Sequence, residues 1–219
     1  VAEIELMRRV LASNDALAAR QLAALDRHRV FGINLMSGPG SGKTTLIEKT
    51  VEALLGRYRI HVIEGDIQGD LDARRVAAKG AACTQLNTQG ACHLDAMMVQ
   101  SALDGLELGG LDLLIIENVG NLVCPAEFAM PAHAAVTLLS TAEGSDKPVK
   151  YPLMFQKSDA VVITKTDLGP HVDFDPDAVE AAVHKLKPAV PVFRVSARTG
   201  DGLGAWLGWV EQGIRSRKQ

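Results

Sequence analysis

The run Ser37-Gly38-Pro39-Gly40-Ser41-Gly42-Lys43-Thr44-Thr45 restricts the fold of this 219-residue chain more than any other stretch. An apolar segment, 31–36, leads into it and a helical pattern leads out, the strand, glycine-rich loop and helix order of a phosphate-binding loop. In that order the backbone N–H groups of Gly38, Gly40, Ser41 and Gly42 can turn inward on phosphate oxygens. Lys43 reaches the β- and γ-phosphates, Thr44 offers a hydroxyl to Mg²⁺ at the helix N-terminus, and Thr45 continues the cradle. Ser37 stands where the first glycine is usual.

From residue 31 onward short apolar runs alternate with helical spacing. Strands are expected at 31–36, 60–64, 83–86, 112–117, 135–140, 160–164 and 192–195. Helices are expected near 43–55, 70–79, 92–104, 149–157, 176–187 and 202–215. The alternation predicts an α/β, three-layer P-loop NTPase fold with a mostly parallel sheet and ligands beyond the strands' carboxyl ends. Residues 2–27 place Ile4, Leu6, Met7, Val10, Leu11, Leu17, Leu22 and Leu25 at helical spacing without Pro or Gly. Residues 1–29 are therefore expected as an N-terminal amphipathic segment of one or two helices, ahead of a single nucleotide-binding domain over 30–219.

Acidic residues at neighbouring strand ends complete a magnesium site in such folds. Asp66 ends the second strand and Glu117 the fourth, and Glu117-Asn118-Val119-Gly120 puts a glycine N–H within reach of a γ-phosphate. Asp72 joins that shell or is a solvated helix-start aspartate; its position alone fits both. Lys43, Asp66 and Glu117 are the candidates for the hydrolytic machinery, and no glutamine or arginine stands out to orient water, so turnover is expected to be slow.

Base choice is expected from Thr164-Lys165-Thr166-Asp167 at the sixth strand's end. The Asp167 carboxylate can accept from guanine N1–H and the 2-amino group, whereas adenine would leave it unpaired, a penalty of roughly four decades in the best polar sites. The Lys165 stem can cover the base, and a backbone N–H at Ser196 or Ala197, after the last strand, can meet guanine O6. The domain is accordingly expected to bind GTP and GDP.

A softer donor set sits elsewhere. Cys92 and His93 precede a helical pattern, and Cys124 follows Glu117 by seven residues. Thiolate and imidazole suit Ni²⁺ or Zn²⁺ and not Mg²⁺. Three ligands are one short of a closed tetrahedral site, which leaves a water or a second copy of the chain across a twofold axis to complete it. On spacing alone, metal binding and plain burial of two small cysteines both remain open. Cys83, within a predicted strand, and Met97-Met98, on a helical apolar face, are expected as core.

Apolar residues make up 47% and charged residues 22% of the chain, and the formal net charge is −3. Nothing in that balance favours nucleic acid, and no apolar run approaches the roughly 18 residues of a membrane span. Three cysteines are too few for a disulfide framework and no leader pattern opens the chain, so a cytoplasmic protein is expected. Val1 in first place suggests a processed or trimmed start.

Cys92-His-Leu-Asp-Ala96, Glu117-Asn-Val-Gly-Asn-Leu-Val-Cys-Pro-Ala-Glu-Phe128 and Glu143-Gly-Ser-Asp-Lys-Pro148, together with the phosphate loop, resemble the hydrogenase nickel-incorporation GTPases, the HypB family, over about residues 30–210. The resemblance implies a GTPase that dimerises with nucleotide, delivers nickel during [NiFe]-hydrogenase maturation and works with accessory proteins such as a HypA-type nickel chaperone. It implies metal ligation by Cys92, His93 and Cys124 at the dimer interface, and places Lys150 near nucleotide or the partner chain. Residues 1–30 depart from members with an N-terminal metal site, holding only His28 and no cysteine. Gly69 replaces a switch threonine, Gln89-Gly90-Ala91 a Gly-Lys-Gly, and Thr164 the commoner Asn.

These features predict that GTP and Mg²⁺ order the loops around Asp66 and Glu117, favour the dimer and set Cys124 against Cys92 and His93, with hydrolysis releasing the metal. The rivals are a urease-type nickel chaperone GTPase, whose Cys-Pro-His arrangement is absent; a P-loop kinase or ATPase with incidental cysteines; and a nucleotide-binding metal-storage or assembly module with little hydrolysis.

Overall fold

The computed structural model describes residues 2–219, with side chains from Ile4 onward. Each expected strand is present: β1 (Phe31–Ser37), β2 (Ile60–Asp66), β3 (Ala82–Asn87), β4 (Leu113–Glu117), β5 (Ala134–Ser140), β6 (Ala160–Thr164) and β7 (Val192–Val195). They form one sheet in the order β3-β2-β4-β1-β5-β6-β7. Every pairing is parallel, so the expected mostly parallel sheet is parallel throughout.

Parallel neighbours need long crossovers, supplied here mostly by helices: α1 (Ala2–Arg27) leads in, then come α2 (Lys43–Leu54), α3 (Leu71–Ala77), α4 (Ala96–Leu103), α5 (Lys147–Lys150), α6 (Pro152–Lys157), α7 (Pro176–Leu186) and α8 (Leu203–Lys218). With both faces covered, the central strands read as unbroken apolar runs; all of β1 and β4 is buried. One face packs Leu46, Ile47 and Val51 of α2 and Trp206, Val210 and Ile214 of α8 against Ile33, Leu35, Ile115 and Val162. The other packs Leu25 of α1 and Val99 and Leu103 of α4 against Ile63, Leu114 and Ile116, then Phe155 of α6 and Val179 of α7 against Val161 and Ile163. Trp206 Nε1 donates to Thr50 Oγ1 at 2.9 Å, so the largest core side chain leaves no buried donor unpaired.

The N-terminal pattern is one helix, within the expected one or two, docked through Asn14, whose Oδ1 accepts from Ala96 N at 2.8 Å, and Gln21, whose Nε2 donates to Ala96 O at 2.7 Å. Two boundaries differ from expectation. The helix expected over 149–157 is two, α5 and α6, because Tyr151 precedes Pro152 and is held at φ −126, ψ 56, outside the helical region, as pre-proline crowding favours. The helix expected from residue 92 begins at Ala96, since Asp95 is its cap and accepts from Met98 N at 2.8 Å. Cys92 and His93 thus lie in the loop before it.

Candidate functional site

The loop after β1 wraps the start of α2. Gly42 caps that helix at φ +91, a left-handed conformation natural to glycine. Buried Lys43 donates from Nζ to Ser37 Oγ at 3.0 Å and lies 3.9 Å from Glu117 Oε1, so Ser37, at the place of the usual glycine, holds the lysine head. Ser41 Oγ contacts Gly38 O at 2.7 Å and the carboxylate of Glu143. Thr45 Oγ1 accepts from Arg75 Nη2 at 3.3 Å. Gly120 lies so close to the loop that a Cβ there would sit 2.8 Å from Pro39 Cα; the chain leaving β4 rests on the phosphate loop at a point only glycine allows.

Strands β2 and β4 are neighbours with Glu64 directly opposite Glu117, and α3 brings Asp72 over them. One carboxylate oxygen from each of Glu64, Asp72 and Glu117 lies within 4.8 Å of the others. Thr44 Oγ1 donates to Glu117 Oε1 at 3.0 Å, and Arg75 spans Asp72 and Glu48 at 2.8 Å each. Burial pushes the Glu64 carboxyl far up, with the Glu117 charge adding to it, and burial likewise raises Glu117. Glu64 Oε2 and Glu117 Oε2 are buried without a hydrogen-bond partner. Hard oxygen donors in that state fit a divalent cation such as Mg²⁺. Asp66, expected in this group, is turned instead to its own loop, where Oδ1 accepts from Ile67 N at 2.6 Å.

Beyond β6 and β7 a cavity of about 250 Å³ is lined by Gly42, Leu46, Thr164, Lys165, Asp167, Ala197 and Arg198 among others. Thr164 Oγ1 donates to Ser41 O at 2.6 Å and Lys165 Nζ to Gly40 O at 2.7 Å, so this loop is tied to the phosphate loop. Asp167 Oδ1 accepts from Ser196 Oγ at 2.7 Å, fixing the carboxylate at the cavity wall. Lys150 sits on the outer side of α5, paired with Asp146.

Cys92 Sγ lies 3.0 Å from Cys124 Sγ and 3.6 Å from His93 Nδ1. The three donor atoms all fall within 4.8 Å. His93 stacks on Phe128, ring centroids 4.0 Å apart, and burial lowers its pKa, favouring the neutral imidazole that ligates metals. The Cys92 thiol beside it, followed by burial, raises Cys124. Cys83 packs against the core, and burial pushes its thiol up to about 12. Met98 is packed as expected, whereas Met97 is 72% exposed beside the cysteine loop.

Three residues were not among those singled out. Glu64 carried a signal, a charge inside the apolar run 60–64. Glu143 opens the Glu143-Gly-Ser-Asp-Lys-Pro148 stretch, whose only signal is the family resemblance. Asn118, fully buried, gave none: its Oδ1 accepts from Leu94 N and Val119 N at 3.0 Å each, joining the Cys92–His93 loop to the chain leaving β4.

A parallel sheet whose first strand runs into a lysine-bearing glycine loop, with acids on the neighbouring strands, is the architecture of a P-loop nucleotide-binding protein. A family model described as CobW/HypB/UreG, nucleotide-binding domain, matches residues 32–194. The hydrogenase maturation factor HypB of Azotobacter chroococcum mcd 1 is 50% identical over 212 residues, covering 95% of this chain and 68% of that protein. The crystal structure of HypB from Helicobacter pylori in complex with nickel superposes with a TM-score of 0.89 at 38% identity, covering 94% of this chain and 97% of that one. HypB from Archaeoglobus fulgidus gives 0.87 at 33% identity, covering 93% and 100%. The chain belongs to the HypB family of hydrogenase maturation factors.

Proposed function

We propose that the chain is a slow GTPase that carries nickel, or zinc, between its Cys92, His93 and Cys124 side chains and couples that cargo to nucleotide during hydrogenase maturation. The observation that carries this reading is the short path between the two sites. Six residues separate Glu117 of the acid cluster from Cys124, and within them Gly120 touches the phosphate loop while Asn118 holds the cysteine–histidine loop. A change at the γ-phosphate therefore has little chain in which to dissipate before it reaches the thiols.

Lys43 and the backbone of Gly38, Gly40, Ser41 and Gly42 bind the phosphates, Gly120 N–H meets the γ-phosphate, and the Asp167 cavity selects guanine. Thr44, Asp72 and Glu117 would hold Mg²⁺, which when bound neutralises charge on the β- and γ-phosphate oxygens. Two thiolates and one imidazole leave a nickel ion short of ligands, and a second copy facing the first would complete it. Exposed Ile67, Leu71, Met97, Val123 and Val149 all lie in segments that follow the carboxyl ends of β2, β3, β4 and β5, which supports a homodimer formed on that face and approached there by Lys150. Among the described residues no helix is long and apolar enough to cross a membrane, consistent with work in the cytoplasm beside HypA-type accessory proteins.

Nickel titration of the GDP and GTP-analogue complexes, with protomer association followed alongside, tests the proposal. Different affinities, and dimer only with the analogue, are expected; equal affinities would sink the coupling. Lys43→Ala should abolish hydrolysis, and GTPase activity untouched by that change would leave a non-catalytic storage module instead.

A further inference from the structure

Glu64 is a carboxylate in the wrong surroundings for a structural residue. It is 2% exposed, its Oε2 has no hydrogen-bond partner, and it faces Glu117, itself 3% exposed, across the β2–β4 ladder. Two buried acids side by side cost desolvation and repel one another, and an apolar residue on β2 would pack at less expense. Around them the charges do not cancel. Glu64, Asp72 and Glu117 converge within 4.8 Å, Lys43 is the near cation at 3.9 Å, and Arg75 is shared between Asp72 and Glu48. When phosphates draw on Lys43, the deficit of positive charge grows.

We propose that Glu64 is a positioning residue of the divalent-cation site, its carboxylate acting with Glu117 on the ion or its water shell. This rests on the reading of the phosphate loop as a magnesium–nucleotide site. Thr44 donates to Glu117 Oε1 and is the hydroxyl that would meet the ion, while Glu64 flanks Glu117 across the β2–β4 ladder, its oxygen within 4.8 Å. Outer partners of this kind fix the orientation of a ligating carboxylate, and their removal weakens metal binding by roughly 10–100-fold.

The test is Mn²⁺ binding, read from the paramagnetic signal of the free ion, to the GDP complex of the parent, Glu64→Gln and Glu64→Asp, with GDP affinity in EDTA and thermal midpoints measured on each. Glu64→Gln keeps size but removes the carboxylate that would face a bound cation. It is expected to weaken Mn²⁺ at least about tenfold, to leave GDP affinity in EDTA unchanged, and to hold or raise the metal-free midpoint. A structural role would lower the midpoint and leave Mn²⁺ alone. Glu64→Asp keeps the charge and should recover part of the loss; if Glu64→Gln does not fold, a weakened Mn²⁺ affinity in Glu64→Asp carries the test. Parent-like Mn²⁺ affinity in the folded variants overturns the role of Glu64 while leaving the magnesium–nucleotide reading intact. A parent complex that binds Mn²⁺ no better than free GDP does overturns both.

Discussion

Asp167 shows how much one side chain can decide. Its Oδ1 is occupied by Ser196 Oγ at 2.7 Å, which pins the carboxylate, and the cavity beside it is walled by Lys165 and Ala197. On the proposed reading guanine would satisfy that carboxylate through N1–H and its amino group, whereas adenine would present an acceptor to it, the kind of mismatch on which polar sites discriminate steeply. Asp167→Ala is expected to cut the preference for GTP over ATP by roughly 100-fold or more, chiefly by weakening GTP, in competition against a fluorescent GDP analogue. A preference equal to the parent's would remove Asp167 from base recognition.

At the scale of elements, the loop after β4 is the part with two tasks. Asn118 is the joint, taking Leu94 N from the cysteine–histidine loop and reaching Asn34 Oδ1 on β1 with Nδ2 at 3.3 Å. Asn118→Ala orphans the Leu94 N–H, a loss of about 1–3 kcal/mol, and cuts a link between the two loops, which then meet through Cys92 and Cys124 and through His93 on Phe128. The nickel affinities of the GDP and GTP-analogue states should then move towards each other from a ratio that for coupled sites is roughly 5–150-fold; a parent-like ratio would show that coupling travels elsewhere. This joint was illegible in the sequence because an asparagine after a strand looks like any turn. The strands were legible, since a sheet covered on both faces writes itself as apolar runs, and so was the phosphate loop, whose spacing is its chemistry. α4 starts four residues later than apolar spacing suggests, because that spacing carries through Leu94 while the start signal is the side-chain cap of Asp95. The role of Glu64 is not legible because its neighbour Glu117 is adjacent only through strand order, β2 beside β4, which the sequence does not spell out.

The whole molecule is closed at the end away from the nucleotide loops by α1, α8 and the entry to β5. Trp206 is the anchor of α8, and Trp206→Ala should lower stability by about 3–5 kcal/mol in urea unfolding, a loss that larger residual compaction would reduce. His133 ties the ends together. Gly32 N donates to its Nδ1 at 2.9 Å, which leaves the proton on Nε2, 3.1 Å from Asp26 Oδ1, and Arg217 holds Asp26 at 2.9 Å. Protonating Nδ1 would break the bond from Gly32, and burial, outweighing Asp26, holds the imidazole below its ordinary value of 6.5. His61, buried against Thr84 at 2.9 Å, is lowered by burial as well. The unfolded chain therefore takes up these protons first as pH falls through 6.5, so their contribution is fully present above that pH and is lost progressively below it. The urea midpoint measured in EDTA is expected to be lower at about pH 5.5 than at about pH 7.5, and His133→Gln to flatten that difference whatever it does to stability at the higher pH. An undiminished pH slope in the variant would mean that the joint between α1, α8 and β5 does not titrate.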